Sequence, residues 1–205
     1  MKLTIFGATG RTGRHLLEQA LADGHEVTAF VRDPAKLPVQ DERLHVVQGD
    51  IRDAQRVEEA VRGADAVLSA LSSGKEVLTQ AAQHIIPAMR AHGVRRLISL
   101  VGAGVPDAQD PSSAGRSFMR GLMKLVARDV LQDAERHAEL VRESGLDWTL
   151  VRPPRLDDGP RERTYRTGIL KLGPAESISR ADVADFMLKL AGDHQYVRQA
   201  PMVSY

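Results

Sequence analysis

The chain has 205 residues, of which 42% are hydrophobic and 27% charged, a composition typical of a globular protein with one sizeable core. A formal net charge of +1 and an aromatic content of 4% do not favour nucleic-acid binding, which uses basic surfaces or stacking platforms. The absence of cysteine excludes disulfides, thiolate metal sites and a cysteine nucleophile. We therefore expect a single domain over residues 1–205 whose partners are small molecules.

No apolar run suggests a membrane partner. The run within residues 1–6 is too short for a signal peptide, and no later run approaches the length needed to cross a bilayer. We expect a soluble, cytoplasmic protein. Its oligomeric state cannot be predicted from these patterns.

Short apolar strands alternate with helical patterns along the chain, which is the rhythm of a parallel sheet. After the apolar run 3–6, the candidate strands are 25–31, 44–48, 65–70, 96–101 and 147–151. The candidate helices are 11–23, 53–62, 76–92, 117–144 and 180–190. These elements predict an α/β fold, a Rossmann-like doubly wound parallel sheet.

Two long segments, 102–116 and 153–168, are rich in Gly, Pro, Ser and Asp. Both follow predicted strands, so both should lie at the carboxyl edge of the sheet, where ligands bind in open α/β folds. We expect these two loops to contact the substrate.

Residues 7–13 read Gly-Ala-Thr-Gly-Arg-Thr-Gly and join the first strand to the first helix. The first glycine permits a tight turn, the second lets backbone N–H groups approach a pyrophosphate, and the third allows close packing of the helix on the strand. The pattern predicts dinucleotide binding, and the alternative is a glycine-rich turn that binds nothing. The candidate cofactor-binding residues of this turn are Gly7, Thr9, Gly10, Arg11, Thr12 and Gly13.

The residue after the second strand favours NADP(H) over NAD(H). An acidic residue normally accepts hydrogen bonds from the ribose 2′-hydroxyl about 20 residues past the glycine turn, but Arg32 stands here. A guanidinium suits a 2′-phosphate, and Lys36 adds a second positive charge. Asp33 is the counter-evidence, because its carboxylate could bind the ribose instead, and Arg32 could be a solvated surface cation.

The next two strands end in further candidate cofactor contacts. Asp50 and Ile51 could lie against the adenine, with the carboxylate accepting from the exocyclic amine, although Asp50 could equally cap a helix. Ala70 and Leu71 have small or apolar side chains that would let a dinucleotide lie across the sheet edge. Ordinary core residues would look the same.

The chain resembles a family of atypical short-chain dehydrogenase relatives that includes the NmrA-like proteins and biliverdin IX-beta reductase, also known as NADPH flavin reductase. The resemblance runs almost end to end and is greatest for the flavin reductase branch. It rests on Phe-Gly-Ala-Thr-Gly-Arg-Thr-Gly at 6–13, Val-Arg-Asp at 31–33, Gly-Asp at 49–50, Ala-His-Gly-Val at 91–94, Arg-Glu-Ser-Gly-Leu at 142–146, Arg-Pro-Pro at 152–154 and Ile-Ser-Arg-Ala-Asp-Val at 178–183.

The resemblance implies that NADPH lies along all the candidate residues above and close to Val101 and Pro153. Hydride would pass to a stacked flavin or linear tetrapyrrole as substrate, with the cofactor carrying the chemistry and the fold orienting it. The proton would come from solvent or a nearby hydroxyl, so no residue is assigned as catalytic. The alternative within the same resemblance is an NmrA-like sensor that binds NADP without turnover and signals to a protein partner.

Two positions depart from the flavin reductase pattern. Gly102 stands where these reductases have a serine after the fifth strand, and Arg155 stands where they have a histidine after the paired prolines. Ser99 offers a hydroxyl nearby, but a strand hydroxyl is usually buried and bonded to backbone. Arg155 could bind a flavin phosphate or a propionate, or could be a surface loop cation. We take Gly102 and Arg155 as candidate substrate residues.

Several other chemistries lack their residues. The tyrosine with a lysine four positions later, which protonates carbonyls in the main short-chain dehydrogenases, is missing, since Tyr165 is followed by Ile169 and Tyr196 by Ala200. The seven histidines show no His-Glu-x-x-His spacing, so we predict no metal site. No Gly-x-Ser-x-Gly motif indicates a hydrolase.

Overall fold

Six strands, all parallel, form the central sheet in the computed structural model, which describes residues 1–37, 39–72, 76–110, 128–173 and 175–205. They are β1 (Lys2–Phe6), β2 (Glu26–Val31), β3 (Leu44–Gln48), β4 (Ala66–Ser69), β5 (Arg96–Leu100) and β6 (Asp147–Val151). Their order is β3-β2-β1-β4-β5-β6, so the chain winds outward in both directions from β1. This confirms the predicted Rossmann-like doubly wound sheet.

Helices cover both faces of the sheet. They are α1 (Arg11–Ala22), α2 (Ala54–Val61), α3 (Val77–Ala91), α4 (Arg128–Arg142) and α5 (Arg180–Gly192). α1 and α5 pack together on one face, whereas α2, α3 and α4 pack on the other. The helix predicted over 117–144 corresponds to α4 from Arg128 onward, and residues 117–127 lie outside the described residues.

The inner strands are buried on both faces, which explains their nearly continuous apolar sequences. In β4, Ala66 and Leu68 pack into the core beneath α1 and α5, whereas Val67 packs into the core beneath α2 and α3. The alternation follows from the two-residue period of a strand. The edge strand β3 is less covered, and Val46 is exposed.

The side chain before the first residue caps the N-terminus of two helices. The Asp53 carboxylate caps α2 by accepting from two backbone N–H groups, and the Ser179 hydroxyl caps α5 by accepting from the N–H of Asp182. The start of α1 differs, because its N-cap residue is Gly10 and no side chain caps it. The positive end of the α1 dipole therefore remains free to attract an anion.

The segment predicted as a loop over 153–168 contains two short strands, β7 (Arg155–Asp157) and β8 (Arg166–Gly168). β7 pairs in parallel with β9 (Ser177–Ser179), and β8 pairs antiparallel with β10 (Met202–Ser204). The prediction of a loop was wrong here because three-residue strands show too little alternation of apolar and polar residues to be recognised. In the other predicted loop, residues 111–116 lie outside the described residues.

Among the described helices, none has the length and apolar character needed to cross a membrane.

Candidate cofactor site at the carboxyl edge

The glycine turn packs against the strand ends more tightly than any side chain would allow. Gly7 has φ +84°, and a Cβ there would lie 2.8 Å from the carbonyl carbon and oxygen of Ala70. A Cβ at Gly13 would lie 2.0 Å from the Gly7 carbonyl oxygen. The same oxygen accepts a hydrogen bond from the N–H of Gly10 at 2.9 Å. The predicted strand–turn–helix is therefore confirmed, with its glycines required by space and by φ.

This turn lies at the point where the strand order reverses. Gly7 follows β1 and Ala70 follows β4, the two strands from which the sheet winds in opposite directions. Ligands of open α/β sheets bind in the crevice at such a point. Together with the uncapped α1 N-terminus, the crevice fits the pyrophosphate of a dinucleotide.

Arg32 carries an unengaged cation at the carboxyl end of β2. Its carbonyl oxygen accepts from Gln48 Nε2 at 3.2 Å, while its exposed guanidinium has no hydrogen-bond or ion-pair partner in the described part of the chain. Asp33 is engaged locally, because its carboxylate accepts from the N–H of Ala35 and lies 3.5 Å from Lys36 Nζ. Of Arg32 and Lys36, Arg32 is thus the cation without an ion-pair partner in the described part of the chain.

Asp50 is held by its neighbour Arg52. One carboxylate oxygen accepts from Arg52 Nε at 2.7 Å and the other from a terminal guanidinium nitrogen at 2.9 Å. The Arg52 guanidinium holds the pKa of Asp50 well below its usual range. The alternative that Asp50 caps a helix is wrong, because Asp53 caps α2. Its contact with an adenine remains a prediction, and the adjacent Ile51 is buried with its carbonyl oxygen 2.7 Å from His84 Nδ1.

The ends of β5 and β6 are linked by backbone hydrogen bonds. The N–H of Val101 donates to the carbonyl oxygen of Val151 at 3.0 Å, and that of Ala103 donates to Pro153 at 2.8 Å. Gly102 between them has φ +90°, a conformation that L side chains rarely adopt. The glycine that replaces the expected serine is therefore favoured by the backbone itself.

Asp158 ties the segment after β6 to the glycine turn, and Arg155 lies three residues before it. Arg155 on β7 is exposed, and its guanidinium has no hydrogen-bond or ion-pair partner among the residues described. Three residues later, the Asp158 carboxylate accepts from Arg11 through one oxygen and from Arg180 at 2.7 Å through the other. Sequence reasoning missed this contact, which joins residues 147 positions apart.

Ser99 forms a hydrogen bond to His137 that the sequence did not predict. Ser99 Oγ lies 2.8 Å from His137 Nε2, and His137 Nδ1 lies 2.8 Å from the carbonyl oxygen of Leu78. The carbonyl can only accept, so Nδ1 carries the proton and the serine hydroxyl donates to Nε2. Burial lowers the pKa of His137. Both residues are almost fully buried, so the pair links β5, α3 and α4 inside the fold.

A tyrosine and a lysine do meet in space, but away from the strand ends. Tyr165 Oη accepts from Lys189 Nζ at 3.0 Å and donates to the buried Asp185. Burial, followed by the hydrogen bond to Asp185, raises the pKa of Tyr165 far above its usual range. Arg161 continues the cluster from Asp185 toward Asp23, which follows the last residue of α1 at the opposite edge of the sheet. This tyrosine is a weak proton donor in the wrong place for the cofactor site.

Residues 7–194 match the model of a protein family described as NAD(P)H-binding. The chain belongs to this NAD(P)H-binding family. The match begins at Gly7, directly after β1, and covers β2 to β6 and the glycine turn.

One curated relative carries the name of a reductase. The (4-alkanoyl-5-oxo-2,5-dihydrofuran-3-yl)methyl phosphate reductase of Streptomyces griseus is 29% identical over 174 residues, which cover 84% of this chain and 51% of that protein. The chain thus spans about half the length of that relative.

Two solved structures share the fold. A short-chain dehydrogenase/reductase from Veillonella parvula in complex with NADP superimposes with a TM-score of 0.82 at 22% identity, covering 100% of this chain and 94% of that one. ChuY, an anaerobillin reductase from Escherichia coli O157:H7, superimposes with a TM-score of 0.83 at 24% identity, covering 99% and 96%. Both likenesses confirm the Rossmann-like architecture.

Proposed function

We propose that the protein is an NADPH-dependent reductase that transfers hydride to a flavin or a similar planar conjugated acceptor. The observation that carries the proposal is the glycine turn at the strand-order reversal, where Gly7 and Gly13 leave no room for a Cβ and the N-terminus of α1 has no side-chain cap. That arrangement suits a dinucleotide pyrophosphate. The bound nicotinamide supplies the hydride.

The preference for NADPH rests on Arg32. Its free guanidinium follows β2, where an acidic residue would select the ribose hydroxyl of NAD. Asp33 caps the short 3-10 helix Pro34–Lys36 and pairs with Lys36, so the competing carboxylate is already engaged. A bidentate contact from Arg32 to a 2′-phosphate would favour NADPH. Lys36 would contribute if it exchanged Asp33 for that phosphate.

The acceptor class rests on Arg155 and on the engagement of the Ser99 and Tyr165 hydroxyls elsewhere. Arg155 is exposed and unpaired among the described residues, so it can anchor a flavin phosphate or a propionate. Ser99 is buried against His137, and Tyr165 is committed to Asp185. A conjugated acceptor that spreads charge and takes its proton from solvent needs only orientation from the protein.

An NmrA-like NADP sensor without turnover is the second candidate. The feature that favours it is Gly102, which places no hydroxyl beside the expected nicotinamide position and whose φ of +90° disfavours a serine. Such a sensor would bind the same cofactor through the same turn. Turnover separates the two functions, and the test is NADPH oxidation with FMN, riboflavin and a quinone as acceptors.

A further inference from the structure

Two helices of the same face begin side by side, and each begins with an arginine. Arg11 is the first residue of α1, and Arg180 is the first residue of α5. A single carboxylate, that of Asp158, joins them by giving one oxygen to each guanidinium. The Arg180 side chain is only 12% exposed, whereas the Asp158 side chain is 60% exposed. The two arginines therefore already bind one anion, the carboxylate of an exposed aspartate.

We propose that Arg180 is a further binding residue for the pyrophosphate of the dinucleotide, and that Asp158 occupies this place until the cofactor displaces it. The inference rests on the proposed function, since it concerns the same site. Arg180 and Asp158 both lie outside the glycine turn. Asp158 competes with the cofactor from within the chain. Arg11 and Arg180 together form the pair of cations that binds either the Asp158 carboxylate or the pyrophosphate.

The energetics favour exchange of the carboxylate for a diphosphate. Asp158 and Arg11 are both largely exposed, and ion pairs of this kind contribute little because water screens them. A pyrophosphate brings two negative charges and several acceptor oxygens, which suit bidentate guanidinium contacts. It would also lie on the free N–H groups of α1, which Asp158 does not cap. The cofactor therefore gains contacts that the carboxylate lacks.

Arg180 is positioned for this role by the local fold. Ser179 caps α5, and its hydroxyl also donates to the carbonyl oxygen of Pro160 at 2.9 Å, which fixes the start of α5 beside the turn that carries Asp158. Within the described ranges, Asp158 is the one side chain that forms an ion pair with Arg180. Displacement of Asp158 would leave a partly buried guanidinium in need of an anion, and the pyrophosphate supplies it.

The displacement would also reach the expected substrate segment. Asp158 follows directly after β7, the strand that carries Arg155. Release of Asp158 from Arg11 removes the ion pair that ties this segment to the glycine turn. Cofactor binding would then free the segment that carries Arg155, the residue proposed to contact the acceptor, from its ion pair with the glycine turn.

The test compares ligand affinities of the wild type and Asp158→Asn, which keeps the side-chain size and removes the competing charge. The ligands are NADPH and ADP-ribose, which contain the pyrophosphate, and adenosine 2′-monophosphate, which lacks it. We expect NADPH and ADP-ribose to bind about two- to fivefold more tightly to the variant, the size expected for an exposed ion pair, with no change for adenosine 2′-monophosphate. The matched control is Asp147→Asn, since Asp147 also lies between two arginines, Arg95 and Arg198, but at the opposite edge.

Unchanged or weaker binding of NADPH by Asp158→Asn would overturn the proposal, as would an equal gain for adenosine 2′-monophosphate or for the Asp147→Asn control. Arg180→Gln is expected to weaken NADPH and ADP-ribose binding about tenfold, the usual size of a charge-assisted contact. Equal affinity of this variant would remove Arg180 from the site; if it does not fold, Asp158→Asn alone decides. If affinities shift as expected while no acceptor is reduced, the reductase function fails and this inference stands. If an acceptor is reduced but the affinities of the variants do not shift, the reductase function stands and this inference fails.

Discussion

Gly13 packs so closely on Gly7 that a Cβ at position 13 would lie 2.0 Å from the Gly7 carbonyl oxygen. Real Cβ atoms essentially never approach a neighbouring atom so closely, and the neighbour here is backbone. The first turn of α1 and the end of β1 therefore hold one another in place. Because the predicted pyrophosphate site consists of this backbone, its shape depends on both glycines.

Gly13→Ala should lower the free energy of unfolding by about 1–3 kcal/mol, the usual cost of forcing extra volume into a packed site. It should also weaken cofactor binding, since the α1 N-terminus must shift. Urea unfolding and NADPH fluorescence titration measure the two effects. Gly173→Ala is the matched control, because a Cβ there meets nothing within 4 Å and its φ lies outside the range that L side chains rarely adopt. Equal stability of Gly13→Ala and the control would contradict the packing argument.

Arg32→Ala should weaken NADPH binding about 10- to 100-fold and leave NADH binding nearly unchanged. The reason is that hydrogen bonds to a charged group contribute roughly 1.5–3 kcal/mol, and only NADPH has the 2′-phosphate. Titration of both cofactors against the variant measures the difference. Arg62→Ala removes another exposed arginine at the far end of α2 and serves as the control. A parallel loss for NADPH and NADH would show that Arg32 does not read the phosphate.

Arg155→Ala should raise the half-saturating concentration of FMN about five- to tenfold and leave that of an uncharged quinone unchanged. The guanidinium would bind the flavin phosphate, which the quinone lacks. Steady-state kinetics with NADPH at saturation measure both values, with Arg62→Ala again as control. Equal effects on the two acceptors would exclude an anion anchor at this position.

Stability should decline as the pH falls below about 6.5, the usual pKa of histidine. His137 is buried and neutral with a lowered pKa, so the unfolded chain binds its proton at a higher pH than the folded one. The stability that neutral His137 contributes is complete above its pKa in the unfolded chain. It is lost as the pH falls from that value toward the lower pKa in the folded protein, by up to about 1.4 kcal/mol per pH unit.

Urea unfolding at several pH values between neutral and mildly acidic measures this slope. His137→Gln should be less stable than the wild type at neutral pH and should lose the part of the slope that His137 causes. The part from His25 should remain, because burial also lowers the pKa of His25. An identical slope in His137→Gln and the wild type would be inconsistent with a neutral buried histidine.

Local patterns predicted the sheet, because periodicity and turn chemistry are properties of a few neighbouring residues. The six parallel strands and the glycine turn are of this kind. The short strands β7 to β10 were not predicted, since each has three residues and is defined by pairing with a distant segment. The pairing of Asp50 with Arg52 could have been predicted from the sequence. The two residues follow a strand and are only two positions apart, which is close enough for an ion pair.

The contacts that shape the candidate site were beyond sequence reasoning for the same physical reason. Asp158 reaches Arg11 across 147 positions, and Ser99 reaches His137 across 38. Tyr165 and Lys189 are 24 positions apart, so a search for a local tyrosine–lysine motif could not find them. Such pairs follow from how helices pack on the sheet, which patterns in one segment do not determine.

The most direct test of the central claim is the oxidation of NADPH and NADH by the purified protein, followed by absorbance with FMN, riboflavin and a quinone, beside a titration of cofactor binding. The reductase account predicts acceptor-dependent oxidation that is faster with NADPH than with NADH. Tight NADP binding without oxidation in the presence of any of these acceptors would contradict it and support the sensor. A preference for NADH would contradict the role of Arg32.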